Sequence, residues 1–311
     1  MINKMDDNKK FERLALRVKL KRWLMTILLI VIVVPVMAGI GYKFTQNLSS
    51  TQTEKLMTQF TIRQEVMAPN IQSSDLYISN SGLGGGEVSS HEYKDIDGYH
   101  IPWGSANGTY NWLYSEINND NFVDTTRTAA YNRVTQEKIP MFYNNQVTNP
   151  AIKKANELTA VSSMHNYVAE VAVSFDQPMT YQQILAKLPK NIRANWFWIG
   201  VGGQADPTLQ DNNLMGIRSV GGKITDLSYH SFWKNLKAAK KGNLGQFNQF
   251  SLSKYATQYA KKYPSLRQAK FAGVILTGKS ESFKALRNRS WISESSVGAT
   301  IKRVPYIKPR Y

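Results

Sequence analysis

The chain of 311 residues contains no cysteine. Disulfide bonds, a thiol nucleophile and a lipid-modified cysteine are therefore excluded. Any part that folds outside the cytoplasm must be stabilised by packing alone. In an exported chain of this size, the absence of cysteine is more typical of a Gram-positive bacterium than of a eukaryotic secretory pathway.

Residues arranged for catalysis or metal binding are also scarce. Four histidines occur without the spacing of a metal site: His91, His100, His165 and His230. No Gly-x-Ser-x-Gly, Ser-x-x-Lys or Walker sequence is present, and Ser162-Ser163 has no recognisable base. Asp95 and Asp97 could pair two carboxylates on one face of a strand, although a solvated turn before Gly98 is the better interpretation. We therefore expect a protein that is not an enzyme and has no cofactor or metal.

Charge is missing from one long stretch, Trp23 to Tyr42. Twenty helical residues span roughly 30 Å, the thickness of the hydrocarbon core of a bilayer. Eight Lys and Arg precede this stretch, whereas the twenty residues after it carry two, Lys43 and Lys55. Cations concentrate on the cytoplasmic side of membrane helices, so the sequence predicts one transmembrane helix with a cytoplasmic N-terminus.

A cleaved signal peptide is the alternative for the same stretch. Pro35 ends a twelve-residue apolar run, and Val36-Met37-Ala38 offers small residues of the kind that a signal peptidase reads. However, the basic leader is long, at 22 residues, and apolar character continues through Gly39 to Gly41. An uncleaved anchor is the favoured interpretation, and Pro35 can kink such a helix without unfolding it.

Acidic residues are few, with 22 Asp and Glu against 39 Lys and Arg. The leader accounts for a net charge of +5, which leaves +12 of the formal +17 to the rest of the chain. A basic exterior favours anionic lipid or wall polymer, and the compartment argues against nucleic acid. A charge that only solvates the surface is nevertheless the favoured interpretation. The densest cationic group is the candidate for anionic-polymer contact: Lys234, Lys237, Lys240 and Lys241.

Changes in composition and hydrophobic pattern divide the chain into five parts. We expect a basic cytoplasmic stub over residues 1–22, a transmembrane helix over 23–42 and a partly helical stalk over 43–67. Short runs broken by Gly, Asn, Asp and Pro predict a β-rich extracellular region over 68–150. Residues 151–311 mix helical and strand patterns and predict an extracellular α+β domain.

A strand–helix–strand pattern occurs twice in that last part. The first copy runs from the strand Tyr167–Phe175 through a helix with capping-box spacing at Thr180 and Gln183 to the strand 194–201. The second comprises residues 271–277, a helix over 280–286 and a strand over 297–304. Two such units predict a ferredoxin-like sheet with helices on one face, and a helix over about 245–263 fills the connection. Residues 196–198 point to alternate faces of their strand, which could expose one aromatic side chain, although packing in the core is the favoured interpretation.

The order of several segments resembles a known family. The relevant C-terminal segments are Val171–Phe175, Met179–Tyr181, Leu188-Pro189, Trp196–Trp198, Phe271–Gly278 and Ser295–Thr300. The anchor and stalk, with Ala68–Asn70, Tyr93-Lys94 and Ile101–Gly104, complete the pattern. Together they resemble the sigma factor regulator family of Gram-positive bacteria, in both its N-terminal region and its C-terminal domain.

The resemblance implies a membrane-bound anti-sigma factor, which restrains an extracytoplasmic-function sigma factor until envelope stress releases it. With about 22 residues inside, the stub would bind an acidic patch through an induced helix, or act through a second membrane regulator. Its basic character excludes DNA mimicry. The alternative function is a structural or wall-polymer-binding protein of the envelope.

Overall fold

The structure is a computed structural model that describes residues 3–82, 84–118, 123–210 and 214–310. Its α-helices are α1 (Asn3–Val66), α2 (Leu158–Ser162), α3 (Tyr181–Lys187), α4 (Asp226–Lys237) and α5 (Leu252–Lys262). Short 3-10 helices cover Pro207–Leu209 and Ser280–Leu286. The strands up to residue 139 are β1 (Gln72–Ser73), β2 (Tyr77–Gly82), β3 (Gly85–Ile96), β4 (Tyr99–Asn111), β5 (Ser115–Asn118), β6 (Val123–Thr125), β7 (Ala130–Asn132) and β8 (Lys138–Ile139). Those after it are β9 (Tyr167–Thr180), β10 (Arg193–Trp198), β11 (Gly216–Arg218), β12 (Gln246–Phe247), β13 (Phe250–Ser251), β14 (Lys270–Lys279) and β15 (Ile292–Lys302).

The helix α1 is 64 residues long and contains Pro35 without interruption. It is long and apolar enough to cross a membrane, and the apolar window that qualifies it is entirely exposed. A proline removes one backbone donor, which a long helix tolerates as a local kink. The chain is therefore a mixed helix and sheet protein with one long apolar helix near its N-terminus.

The last turns of α1 lie inside the folded body. Leu56 and Phe60 pack with residues of the first sheet, whereas Ile62 and Val66 pack in the main core. Two cores on two sides of one helix require apolar residues on two faces. This explains why residues 43–66 show no single apolar stripe in the sequence, although they are helical throughout.

The strands up to residue 118 form the first sheet, and all their pairings are antiparallel. The order is β1-β3-β4-β5, and β2 also pairs with β3. A separate three-stranded sheet follows, in the order β6-β7-β8. A tight turn ends β3 and begins β4: Asp97 adopts a positive φ of 56° directly before Gly98.

The second sheet has the order β11-β10-β14-β9-β15, and every neighbouring pair is antiparallel. Helices α3, α4 and α5 cover one face and bury Ile184, Phe232 and Ala256 in the main core. The predicted capping box at the start of α3 is present: Thr180 and Gln183 each bond the other's backbone N–H.

The three aromatic residues 196–198 pack in the core, which was the favoured interpretation, and none of them is exposed. Trp196, Phe197 and Trp198 are at most 2% exposed. Phe197 faces the helices, while the Trp196 and Trp198 rings pack on Phe142, with centroids 5.9 and 4.8 Å away. A segment remote in sequence thus covers the second face of the sheet.

Two helices differ from their predictions, one in its extent and one in its type. A short hairpin, β12–β13, precedes α5, so this helix begins at Leu252 with Ser251 as its N-cap. Residues 280–286, the helix of the second predicted unit, form a 3-10 helix. Its side chains still bury Phe283 and Leu286, as the sequence pattern requires.

Candidate functional site

A buried ion pair joins the first sheet to the second. Lys94 on β3 and Glu170 on β9 are both fully buried, and Lys94 Nζ lies 2.9 Å from Glu170 Oε2. The same ammonium group lies 3.7 Å from the centre of the Trp103 ring, which adds a cation–π contact. Removing either charge would leave the other buried without compensation. Both charges are therefore needed for this contact between β3 and β9.

A chain of amide and hydroxyl groups continues from this ion pair. Asn70 Nδ2 donates to Glu170 Oε1 at 2.8 Å, and Asn195 Nδ2 donates to Asn70 Oδ1 at 3.0 Å. The Thr277 hydroxyl donates to Asn195 Oδ1 at 3.2 Å. All these side chains are buried. We call Asn70, Lys94, Glu170, Asn195 and Thr277 the buried polar network.

Asp95 and Asp97 lie next to the network, and the expectation that they are solvated is wrong. Both are buried. Asp95 Oδ1 accepts a hydrogen bond from the Gly98 backbone N–H at 2.6 Å, and Asp95 Oδ2 accepts one from an Arg310 guanidinium N–H at 3.0 Å. The Arg310 backbone N–H donates to Asp97 Oδ1 at 3.1 Å. The turn is present as predicted, but the C-terminal residues cover it.

Two further carboxyl groups interact with the buried lysine. Burial lowers the pKa of Lys94, and this shift is opposed chiefly by Glu170. Burial raises the pKa of Glu92 to about 7, against the lowering effect of the Lys94 charge. Burial also raises the pKa of Glu137, which interacts with both Lys94 and Glu170. Among these groups, Glu92 titrates near neutral pH.

The buried polar network is suited to a structural role, because it connects segments that are far apart in the sequence. It connects the Asn70 turn and β3 to three strands of the second sheet, through Glu170 on β9, Asn195 on β10 and Thr277 on β14. Across the residues that the structure describes, no three His, Asp or Glu side chains converge to hold a metal ion.

The lysines singled out from the sequence are all exposed: Lys234, Lys237, Lys240 and Lys241. We call them the lysine cluster. The first two lie in the last turn of α4, and the other two follow in consecutive turns. The guanidinium of Arg63 on α1 donates to the backbone oxygens of Gly242 at 3.4 Å and Asn243 at 2.6 Å. The cluster is therefore attached to α1 near the end of that helix.

At the other end of α1, one face carries a shallow groove. It is lined by Phe11, Leu14, Ala15, Val18, Lys19 and Arg22. Helical spacing places the first four on one side of the helix, and Phe11, Leu14 and Val18 are exposed. We call this surface the N-terminal groove. It combines apolar side chains with flanking cations.

The sequence does not show that the five residues of the buried polar network meet. Glu170 is a charged residue inside an otherwise apolar strand, which is itself a signal of a buried partner. Its partner Lys94 is 76 residues away, and no local spacing connects them. Asn195 and Thr277 likewise belong to strands whose neighbours are fixed only by the sheet order.

These observations define a helix-and-sheet body, fastened by a buried polar network, on a helix that is apolar enough to cross a membrane. The chain belongs to the sigma factor regulator family. Residues 12–101 match the family model described as sigma factor regulator N-terminal, and residues 161–299 match the one described as sigma factor regulator C-terminal. The buried polar network joins these two matched regions.

Membership supports an anti-sigma regulatory role, in a family that is regulatory rather than catalytic, and implies a sigma factor as partner. No curated protein and no solved structure matches the chain.

Proposed function

We propose that the chain is a single-pass membrane protein that restrains an extracytoplasmic-function sigma factor, with residues 1–22 in the cytoplasm and 43–311 outside. The observation that carries this proposal is the family match of both regions, the first of which contains the apolar part of α1. The charge asymmetry on the two sides of residues 23–42 supports a cytoplasmic N-terminus. Protease added to intact protoplasts should then degrade the outer part, and full protection would contradict this topology.

The N-terminal groove is the proposed contact inside the cell. A basic helix with an apolar stripe suits an acidic patch on the sigma factor, or a second membrane regulator that binds it. The stripe is exposed along Phe11, Leu14 and Val18, so a partner could bury it without rearranging the helix.

The outer part is proposed to sense the envelope and to act on the groove through α1. This helix is continuous from the groove to Val66, which is fully buried in the main core. A rearrangement of residues 68–150 against 151–311 would therefore move or rotate a helix that extends to the inside. The buried polar network holds those two parts in one arrangement.

The strand order of the second sheet supports a ferredoxin-like assignment. Without the edge strand β11, the order is β10-β14-β9-β15, in which strands of the first unit (β9, β10) alternate with strands of the second (β14, β15) and all neighbours are antiparallel. In this proposal β11 is an added edge strand, and a 3-10 helix replaces the helix of the second unit.

A reporter controlled by the sigma factor tests the inner contact. Leu14→Ser/Val18→Ser removes two apolar side chains of the groove, and Leu16→Ser/Leu20→Ser is the matched control on the opposite face of α1. Burial of such side chains contributes about 1.5–3 kcal/mol each, so affinity should fall at least tenfold and reporter expression should rise in the first variant. Equal expression in both variants, at equal membrane levels, would contradict the assignment of the groove.

The lysine cluster supports a second candidate function, binding of an anionic envelope polymer. Arg63, which holds the cluster, lies 21 residues beyond Tyr42, or about 30 Å along the helix. That exceeds the Debye length of about 8 Å at physiological ionic strength, so polymer is favoured over lipid headgroups as the anion.

Charge reversal tests this second candidate. Reversing all four lysines of the cluster should weaken binding of the full chain to teichoic-acid-like polymer, and salt should weaken binding of the wild type. The matched control reverses four other exposed cations: Lys187, Lys190, Lys284 and Arg287. If both variants bind alike, the cluster is a solvated surface.

A further inference from the structure

The turn between β4 and β5 exposes three consecutive apolar side chains. Trp112 is 43% exposed, Leu113 63% and Tyr114 55%. The earlier aromatic residues of β4, such as Trp103 and Tyr110, are buried. Exposure is therefore confined to the end of this hairpin. We call residues 112–114 the aromatic tip.

The tip is held rigidly. Asn111 Oδ1 accepts hydrogen bonds from the backbone N–H groups of Leu113 at 2.7 Å and Tyr114 at 2.9 Å. The Asn111 N–H donates to the Tyr114 backbone oxygen at 2.9 Å. A turn closed by three hydrogen bonds keeps its side chains outward, although their exposure to water is unfavourable.

The hairpin runs along α1 toward the apolar segment. Gly108 on β4 lies so close to Leu56 and Phe60 that an added Cβ would be about 3 Å from each. Further along the hairpin, Gln52 Nε2 donates to the Leu113 backbone oxygen at 3.1 Å, and the Ser115 hydroxyl donates to Gln52 Oε1 at 3.1 Å. The contacts thus move from residue 60 to residue 52 of α1 as the chain approaches the tip.

The height of the tip above the apolar segment follows from the helix rise. Gln52 lies ten residues beyond Tyr42, which corresponds to about 15 Å along α1. Headgroups occupy roughly 5–8 Å of that distance, and helix tilt of about 20° shortens it further. Trp112 and Tyr114, on either side of Leu113, are large exposed side chains at this level of α1. Leu48 and Ser49 of α1 are half-buried, so the covered part of the helix extends from Gln52 toward the apolar segment.

We propose that the aromatic tip contacts the lipid–water interface of the leaflet from which α1 emerges, so that the body has two points of attachment to the bilayer. This inference rests on the proposed transmembrane role of α1. Trp and Tyr favour the interface because their rings are apolar and their N–H or O–H groups stay hydrated. The nearest charges on α1 are of both signs, Glu54 and Lys55, so apolar burial rather than attraction to anionic lipid drives the contact.

Site-directed labelling tests the proposal directly, because the chain has no cysteine of its own. Full-length Leu113→Cys, labelled with bimane, is placed in phosphatidylcholine nanodiscs that carry a headgroup nitroxide quencher. Val220→Cys is the control for water, because this residue is 75% exposed. The backbone N–H of the adjacent Ser219 donates to the backbone oxygen of Asn195, whose side chain bonds to Asn70, four residues after the last residue of α1. Ile32→Cys reports the centre of the apolar segment.

We expect the Leu113 probe to be quenched about threefold or more over the Val220 probe, with no dependence on salt between 0.05 and 0.5 M, as befits apolar contact. Adding Trp112→Ser/Tyr114→Ser should return quenching to the Val220 level.

Equal quenching at Leu113 and Val220, while Ile32 is quenched by nitroxides placed deep in the bilayer, overturns the tip contact alone. Loss of quenching at Ile32 as well overturns the anchor and the proposed topology with it. Shielding of the Leu113 probe by soluble oligosaccharide rather than lipid would assign the tip to carbohydrate stacking and also overturn the proposal.

Discussion

At the scale of single residues, the pair Lys94–Glu170 is a fully buried contact between the two matched regions. Lys94→Met keeps the packing against Trp103 but leaves the Glu170 carboxylate buried without a counter-charge, which should cost about 3–5 kcal/mol of unfolding free energy. Thermal unfolding of the full chain in detergent measures this loss.

The matched control is Lys154→Met, which removes a partly exposed ion pair with an N–O distance of 3.6 Å to Glu294 and should cost less than about 1 kcal/mol. The double variant Lys94→Met/Glu170→Leu should recover much of the loss, because no buried charge remains. If Lys94→Met and Lys154→Met unfold alike, the pair does not hold the regions together.

Glu92, which is close to Lys94 in the sequence, makes the stability of the folded protein depend on pH. Its folded-state pKa of about 7 lies above the ordinary value of 4.5, so the unfolded state releases its proton first as pH rises. The folded state therefore loses stability between pH 4.5 and 7, and the loss is complete above that window. Glu92→Gln should stabilise the protein by about 1–2 kcal/mol at pH 8 and by almost nothing at pH 4. The figure at pH 8 is already reduced because the Glu92 side chain is partly exposed.

Chemical unfolding at both pH values measures the effect, with the exposed Glu116→Gln as control, expected to change stability by about 0.5 kcal/mol or less. A gain for Glu92→Gln that is equal at both pH values would show that the carboxyl group is not penalised by its ionisation.

The buried residues of this area could be predicted from the sequence by type, but the residues that they contact could not. Lys94 and Asn70 stand in the segments that resemble the family, but Glu170 is 76 residues from Lys94 and meets it only after β3 and β9 approach. Asp95 and Asp97 were predictable as a turn, since Asp before Gly favours one. Their burial depends on Arg310, which no local pattern connects to them.

At the scale of elements, Gly108 determines how closely the hairpin β4–β5 packs on α1. A Cβ there would lie 2.9 Å from both the Glu116 backbone oxygen and Leu56 Cδ1, and 3.0 Å from Phe60 Cε2. Gly108→Ala should destabilise the protein by about 1–3 kcal/mol, because the backbone oxygen cannot move away cheaply. Gly82→Ala, with no atom within 4 Å of the added Cβ, is the control.

Thermal unfolding and proteolysis at the helix–hairpin contact measure this change. A Gly108→Ala variant as stable as Gly82→Ala would mean that the hairpin and α1 are packed more loosely than the structure indicates.

Elements with one dominant pattern were predictable, and elements that serve two cores were not. The twenty uncharged residues and the capping box of α3 follow from local rules. The end of α1 packs Leu56 and Phe60 on one core and Ile62 and Val66 on another, which removes the single stripe that identifies a helix. The burial of both faces of β10 depends on Phe142, a residue outside the strand pattern.

At the scale of the whole molecule, α1 connects the N-terminal groove to the folded body. The N-terminal groove, the apolar segment, the aromatic tip and the main core lie in that order along α1. A change that separates the two matched regions would therefore reach the groove through a continuous helix. The family could be inferred from the order of motifs, whereas this continuity required the structure.

Co-purification from membranes tests the central claim, sigma factor restraint through the N-terminal groove, most directly. Full-length wild type, Leu14→Ser/Val18→Ser and the opposite-face control Leu16→Ser/Leu20→Ser are purified from membranes at equal levels, and the sigma factors bound to each are quantified by mass spectrometry. We expect one sigma factor to be retained by the wild type and the control and to be depleted about tenfold or more from the groove variant. Absence of any sigma factor from the wild type, or equal retention by all three, would contradict it.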